Sequence, residues 1–477
     1  MIRTLRTLAP VRLTDVRSAA GNARIRNAAF NIALFSVILH LLVSGRSLDV
    51  MGIPYATVGG NPVFKLHPAT YLVGIACCMM LFLTRPAGSG LVRLFRTKPA
   101  LATYAVLILF CAFYSILNVG FSGAAVYVES YLSAAMLCVA MEDASDRQKR
   151  ILAWWIIALC LVSIVISVGE TITQTHLIPH EVSDDAEAAA QQVIDDASDF
   201  RGAGLFGHPL GGALMTSMAT FLLLRMRMNG LLKAALFTSM LIGLLSFSGR
   251  AALVTTVILV TMVAVVQLVR GLARRDLSLG FLGALFAGIV ILLPLLIVLV
   301  SSTDIGERAL THMYMDDSAE VRNMQWLVLN HLNLKDVLFG VSPVREEVLK
   351  YQIGLAAKNT DIENFWLLMF LNLGIIGFAV FLVAFGLFII HLGRRANHPL
   401  GWLLLLAAIL IDSTANSLGR KGSDLFLMTA CMIALTGYPR TAPATQPAPR
   451  PPPLGRSRTA EHAGLRPSPV KLAGFKP

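Results

Sequence analysis

The chain has 477 residues, 56% of them hydrophobic and only 14% charged, with a formal net charge of +12 and a mean hydropathy of +0.68. Soluble proteins carry about 25% charged residues, and a single soluble core cannot absorb this much apolar sequence. A soluble enzyme, a disulfide-stapled secreted domain and a disordered chain are therefore excluded, and a polytopic, all-α membrane protein is what fits.

A bilayer-crossing helix needs about 20 mostly apolar residues. The chain opens on an arm, 1–27, that carries Arg3, Arg6, Arg12, Arg17, Arg24 and Arg26 and almost no acid. A transit peptide and the leading region of a cleaved signal are the other readings of such an arm. The sequence near Val43–Arg46 lacks a small-x-small cleavage pattern, which favours an uncleaved signal anchor with a basic cytoplasmic tail. Apolar runs then follow at about 28–45, 68–84, 100–118, 124–141, 150–170, 208–224, 233–248, 251–269, 278–301, 364–390, 398–416 and 422–437. They predict about 12 transmembrane helices in one membrane domain, 28–437. All six cysteines (Cys77, Cys78, Cys111, Cys138, Cys160, Cys431) fall inside these runs with no CxxC, so the sequence suggests neither a disulfide framework nor a metal site.

Two connecting segments are long. The first, about 171–207, is acidic, with Glu181, Asp184, Asp185, Glu187, Asp195, Asp196 and Asp199. The second, about 302–363, lies between spans nine and ten and is predicted to hold two helices. Asp317 and Glu320 have helix-start spacing ahead of a stripe of Val321, Met324 and Val328. Ser342-Pro343 opens the second helix, with Glu346 and Lys350 spaced to pair across one turn. A structured loop of this size over an apolar bundle suggests a lid or cap. The tail, 438–477, holds 10 of the 21 prolines and is predicted to be a disordered, partly polyproline, basic segment on the cytoplasmic side.

Charge gives these runs a direction. With the N-terminus inside, the segments 1–27, 85–99, 142–150, 225–233, 270–277, 391–397 and 438–477 hold 28 of the 40 basic residues and only 6 of the 28 acidic ones. The net positive charge is then a topology signal, not a nucleic-acid footprint, and both termini are expected in the cytoplasm. The two long loops fall on the opposite side, which is periplasmic if the membrane is the bacterial inner membrane.

Few groups at the outer side could carry chemistry. Arg250 ends Ser246-Phe247-Ser248-Gly249-Arg250, a very short turn between two runs; it is either an interface arginine or a ligand-facing one. Arg322 lies four residues before Trp326, so a cation–π pair that holds the loop and a phosphate-binding guanidinium are both open. Arg201 begins Arg201-Gly202-Ala203-Gly204-Leu205-Phe206-Gly207-His208-Pro209, a glycine-rich turn running into a helix start, which makes a ready anion site but no nucleotide loop. Arg420-Lys421 precedes the last run against the charge bias. Glu363, where span ten begins, is a candidate general base or simply an acid at a helix start. His208, His312 and His331 are alternative bases. Glu129 and Asp412 are carboxylates within runs, suited to a proton path or to pairing with neighbours such as Ser130 or Asn416. No cofactor is implied.

The order of these motifs resembles the Wzy/WaaL-type O-antigen polymerase and ligase superfamily, and more narrowly VpsF-type polysaccharide biosynthesis proteins. Arg201 to Pro209, Ser246 to Arg250 with Ala251-Ala252-Leu253, Asp317 to Trp326, Leu338-Phe339-Gly340-Val341, and Glu363-Asn364-Phe365-Trp366 with Leu373-Gly374-Ile375-Ile376-Gly377 stand in the family's order. The likeness covers about 200–390; the first five spans share only hydropathy. It implies metal-independent, inverting transfer or polymerisation of glycan repeat units from an undecaprenyl-diphosphate carrier at the outer face of the inner membrane. Arg250 and Arg322 would stabilise the diphosphate leaving group, Glu363 would act as base, and Arg201, His208, Trp326, Asn364 and Arg420 would bind substrate. The implied partners are a lipid-linked glycan, membrane lipid and other polysaccharide-assembly proteins, with no nucleic acid. Ligases of the superfamily carry a histidine where this chain has Glu363, which favours a polymerase over a ligase. A secondary transporter and a non-catalytic membrane scaffold are the rival classes; transporters tend to show two related halves and matched helix breaks, whereas here no long inside loop separates spans six and seven and the largest loop lies outside.

Overall fold

A computed structural model describes residues 13–55, 61–84, 86–178, 200–274, 324–355, 362, 364–396, 398–415 and 422–438, with side chains from residue 21 onward. These residues are helical, with no strand among them. Every predicted apolar run falls on a helix except 278–301, which lies outside the described residues. The helices are α1 (Leu13–Leu42), α2 (Gly45–Val50), α3 (Pro68–Cys78, continued by a π turn Met79–Leu83), α4 (Ser89–Thr97), α5 (Pro99–Val119), α6 (Phe121–Val126), a π turn Tyr127–Leu132, and α7 (Ser133–Ala140). After them come α8 (Asp146–Thr173), α9 (Pro209–Arg225), α10 (Gly230–Ser246), α11 (Arg250–Arg274), α12 (Leu334–Phe339), α13 (Pro343–Gln352), α14 (Phe365–Ala396), α15 (Pro399–Ala415) and α16 (Asp424–Leu435).

Among the described residues, six helical stretches are long and apolar enough to cross a membrane: Gly21–Leu42, Pro99–Asn118, Gly123–Ala140, Asp146–Thr173, Arg250–Ala273 and Phe365–Ala396. Pro68–Leu83, Gly230–Ser246, Pro399–Ser413 and Asp424–Leu435 are apolar but shorter. The helix starts follow from local chemistry. His67-Pro68 and His208-Pro209 place a ring nitrogen over the first amides and proline at the first helical position. Ser145 and Gln148 form a reciprocal box that starts α8 ahead of the predicted run.

The bundle is built around α16 and α9. From Leu425 to Leu435 every residue of α16 is buried, as is Gly212–Leu223 of α9. Helices apolar on all sides belong at a centre. Here α16 packs against α7, α8 and α9, while α15 packs against α9, α11 and α14. Toward the outside, α11 exposes Val257, Ile258, Val265 and Val269, the pattern expected where the surrounding solvent is lipid.

Polar contacts gather at opposite ends of the same helices. One end pairs Arg26 and Arg93 with Asp143, each at 3.2 Å, and Lys98 with Glu142 at 2.7 Å. There Arg395 also donates to the carbonyls of Cys138 and Met141, Arg150 to that of Gly437, and Arg225 to that of Tyr438. The charged members of this set all come from the segments that the charge count groups together. The other end joins Arg46 to the Gly207 carbonyl at 2.9 Å, Tyr55 and the His67 amide to Glu129, and the Gly422 amide to Ser130 Oγ at 3.0 Å.

At this second end sits a helical cap. The predicted helix at Ser342-Pro343 is α13, with Ser342 as its cap and Lys350 Nζ 3.4 Å from Glu346. Of the other predicted helix, Asp317 to Val321 lie outside the described residues; Met324 and Gln325 are helical, Trp326–His331 continues as a 3₁₀ helix, and Val328 is buried as the stripe requires. An additional helix, α12, starts from a reciprocal cap between Asn333 and Asp336. Val328, Val341, Leu349, Ile353, Leu355 and Ile362 form a small core of their own against Leu367, Leu368 and Leu371 of α14.

The contact pattern divides the chain into Met1–Tyr438 and Pro439–Pro477; of the predicted disordered tail, 438–477, Tyr438 is buried in the first unit and the rest lies outside the described residues.

Candidate functional site

The motif segments separate widely in sequence, and the structure packs them in pairs at the capped end. The first pair meets at the end of α8. One face of that helix carries Ser163, Ser167, Glu170 and Thr171, all buried, at the i, i+4, i+7, i+8 spacing of a single stripe. Ser163 Oγ accepts from the Leu205 amide at 3.1 Å, and Glu170 Oε2 accepts from the amides of Ala203 at 2.7 Å and Gly204 at 2.8 Å. Glu170 Oε1 accepts from the Leu177 amide at 2.8 Å. Ser167 and Thr171 share hydrogen bonds with Ser246 Oγ at 2.7 and 3.3 Å. The Arg201–Pro209 segment and the Ser246–Arg250 turn therefore rest on the same polar stripe. Phe206 meets Phe247 edge to face at 6.1 Å.

This geometry corrects the reading of the glycine-rich turn as an open anion site. Its amides at 203 and 204 are taken by Glu170, and the Leu210 amide at the start of α9 is capped by His208 Nδ1 at 3.3 Å. What the segment can offer a ligand is its side chains. Arg201 is half-buried and His208 is exposed. Arg250 is the first residue of α11, half-buried, and follows Ser248, which holds a left-handed φ of 50°. Non-glycine residues in that region are strained, and such strain is typical of turns that must present a neighbour in a fixed direction.

The second pair joins the cap to α14. Gln325, fully buried beside Trp326, accepts from the Asn364 amide through Oε1 at 3.1 Å. Asn364 Oδ1 caps α14 through the Leu367 amide at 3.0 Å, and Trp366 Nε1 donates to Ser413 Oγ of α15 at 2.9 Å. Asn364 thus acts on its own helix start and on the cap. Trp326 is 49% exposed. Arg322, Glu363 and Arg420 lie outside the described residues, as do His312 and the acids Glu181 to Asp199. His331 contributes its carbonyl, which accepts from Arg345 at 2.9 Å.

The two remaining motifs touch directly. Gly374 breaks α14 at φ 60°, ψ 178°, and Gly340 turns at φ 87°. A Cβ at Gly374 would lie 2.5 Å from Gly340 N and the Leu338 carbonyl, and one at Gly340 would lie 2.7 Å from the Asn372 carbonyl oxygen. Only glycine allows this approach. The Val341 amide donates to Leu371 O at 2.7 Å, and Tyr114 and Asn118 of α5 both donate to Phe339 O at 2.9 Å.

Glu129 is paired with polar groups, as one of the two sequence expectations had it, but the partners at Tyr55 and His67 lie far off in the chain. It lies in the π turn Tyr127–Leu132, 1% exposed, and accepts from the Tyr55 hydroxyl and from the His67 amide at 2.8 Å. Ser130 Oγ accepts from the Gly422 amide. His67 is fixed at both ring nitrogens, with Nε2 3.0 Å from Val43 O and Nδ1 accepting from the Ala69 amide, and it stacks on His40 at 4.3 Å. Asp412 is buried in α15. Burial, and then the Glu129 carboxylate, push the Tyr55 phenol well above its usual range. Among the described residues no three His, Cys, Asp or Glu side chains converge as metal ligands would.

Sequence reasoning missed Glu170, Tyr55 and His67. Glu170 stands at the edge of an apolar run, where a polar residue reads as a boundary. No family model, no curated protein and no solved structure matches the chain.

Proposed function

We propose that this protein is a membrane-embedded glycosyltransferase of polysaccharide assembly that polymerises glycan repeat units carried on undecaprenyl diphosphate. In this reading it has about twelve spans, both termini in the cytoplasm and its capped end facing the periplasm of a bacterial inner membrane. The observation that carries the proposal is the pairing of motif segments at that end: the Arg201 and Arg250 segments on one polar stripe, and the Trp326 and Asn364 segments joined through Gln325. A diphosphate leaving group gains charge as the glycosidic bond breaks. Arginines on segments held by buried hydrogen bonds, at a poorly hydrated membrane edge, would stabilise that charge without reorganising. Arg250 and Arg322 take that role, Arg201, His208, Trp326, Asn364 and Arg420 contact substrate, and Glu363 withdraws the proton from the acceptor hydroxyl as it attacks the anomeric carbon.

The test is the pool of lipid-linked glycans in a deletion strain complemented with wild type, Arg250→Ala or Arg322→Ala. A polymerase predicts that single repeat units build up when the gene is absent, and that each variant, made at normal level, restores chain growth about 100-fold less well than wild type, the loss expected for one transition-state donor. Accumulation of long lipid-linked chains identifies a ligase instead. Unchanged pools refute both.

A further inference from the structure

The backbone of Ala203 is right-handed, at φ −107°, ψ −24°, and that of Gly204 left-handed, at φ 55°. Successive amides in that pair of conformations form a concave nest that binds anions. The nest is filled from within, by Glu170 at Ala203 and Gly204 and by Ser163 Oγ at Leu205. Because the same carboxylate also holds the Leu177 amide, it ties the chain leaving α8 to the chain returning ahead of α9. We infer that Glu170 is a positioning residue of the candidate site, one that sets Arg201 and the His208 start of α9 against the Ser246–Arg250 turn; the inference rests on the glycosyltransferase reading above.

Three features argue that the stripe serves the site and not packing alone. First, a carboxylate with 4% exposure at a membrane edge is costly, and an apolar residue there would pack α8 at no such cost. Second, Ser163, Ser167, Glu170 and Thr171 each bond to one of the two arginine-bearing segments. Third, the glycine positions are shaped to this contact: a Cβ at Gly204 would lie 2.6 Å from the Ser163 carbonyl oxygen, and one at Gly202 would run into Ser167. Arg201 thereby stands two residues ahead of the nest that Glu170 fills.

The experiment compares the full chain in lipid nanodiscs as wild type, Glu170→Gln and Glu170→Ala. Amide exchange is followed by mass spectrometry, and transfer kinetics are measured with a polyprenyl-diphosphate-linked repeat unit. In Glu170→Ala, exchange at Leu177, Ala203 and Gly204 should speed up while α14 and α16 keep their protection. The kcat/KM should fall roughly 100-fold, the scale of a small misplacement of a binding group, with most of the change in KM. Glu170→Gln keeps a carbonyl acceptor and should recover the larger part of both. Wild-type kinetics in a Glu170→Ala protein whose nest amides have been freed would overturn the inference. So would loss of protection throughout α14 and α16, which would make Glu170 a general folding residue. A wild-type protein with no transfer would sink the glycosyltransferase reading itself, and it is recognised separately because the exchange arm uses no substrate.

Discussion

A carboxylate withdrawn from water must find donors, and Glu129 and Glu170 each find theirs on distant segments. Glu129 is met by Tyr55 and the His67 amide, and Glu170 by amides at 177, 203 and 204. Removing the acceptor leaves the donors buried and unpaired, at about 1–3 kcal/mol each. Glu129→Ala should therefore lower stability by roughly 2–6 kcal/mol, seen as a lower melting temperature in detergent, with Glu129→Gln intermediate. Tyr55 adds a pH signature. Its phenol is raised in the fold, so its contribution is complete below the unfolded phenol's pKa of about 10 and is lost as pH rises beyond it. The melting temperature of wild type should fall more steeply above that pH than that of Tyr55→Phe. Equal slopes would mean that the phenol does not stay protonated in the folded protein.

At the scale of elements, the cap is held by backbone-to-backbone contact, which makes it sensitive to single methyl groups. Gly374→Ala places a Cβ against the Leu338–Gly340 backbone and asks alanine to adopt a φ of 60°. The strain of that positive-φ, extended backbone alone is about 1–3 kcal/mol, and the clash adds to it. The expected outcome is a cap that releases from α14, with faster limited proteolysis between Trp326 and Gln352, while Gly386→Ala, where a Cβ meets nothing within 4 Å, leaves the cleavage pattern unchanged. Equal protection in both variants would refute this docking. The elements themselves were largely legible in the sequence. Apolar runs marked the helices, and His208-Pro209, Ser342-Pro343 and the Glu346–Lys350 spacing marked starts and pairs correctly. The break of α14 was not legible, because an isolated glycine within an apolar run looks like any other small residue until its partner Gly340 is brought beside it. Glu170, Tyr55 and His67 escaped for the same reason: their partners lie tens of residues away, and periodicity speaks only of neighbours.

For the whole molecule, charge is the sequence signal of longest reach. Arginines and lysines counted in separate loops assign which segments should share a side. The ion pairs of Arg26, Arg93 and Lys98 join the counted segments 1–27 and 85–99 to 142–150, and Arg150 and Arg395 reach carbonyls at the adjoining helix ends. The segregation is physically reasonable: charged side chains that satisfy one another at a helix end avoid the cost of entering hydrocarbon. If the bundle crosses a bilayer, its two ends must differ in access. Lys335→Cys on the cap and Arg147→Cys at the basic end, introduced singly with the exposed native Cys78 replaced by serine, make this measurable. A membrane-impermeant maleimide added to intact spheroplasts should label the cap cysteine and reach the other only after permeabilisation. Labelling of both from one side would break the alternation on which the transmembrane arrangement depends. Labelling in the reverse order would put the Arg201 and Arg250 segments in the cytoplasm, away from any substrate presented at the outer face.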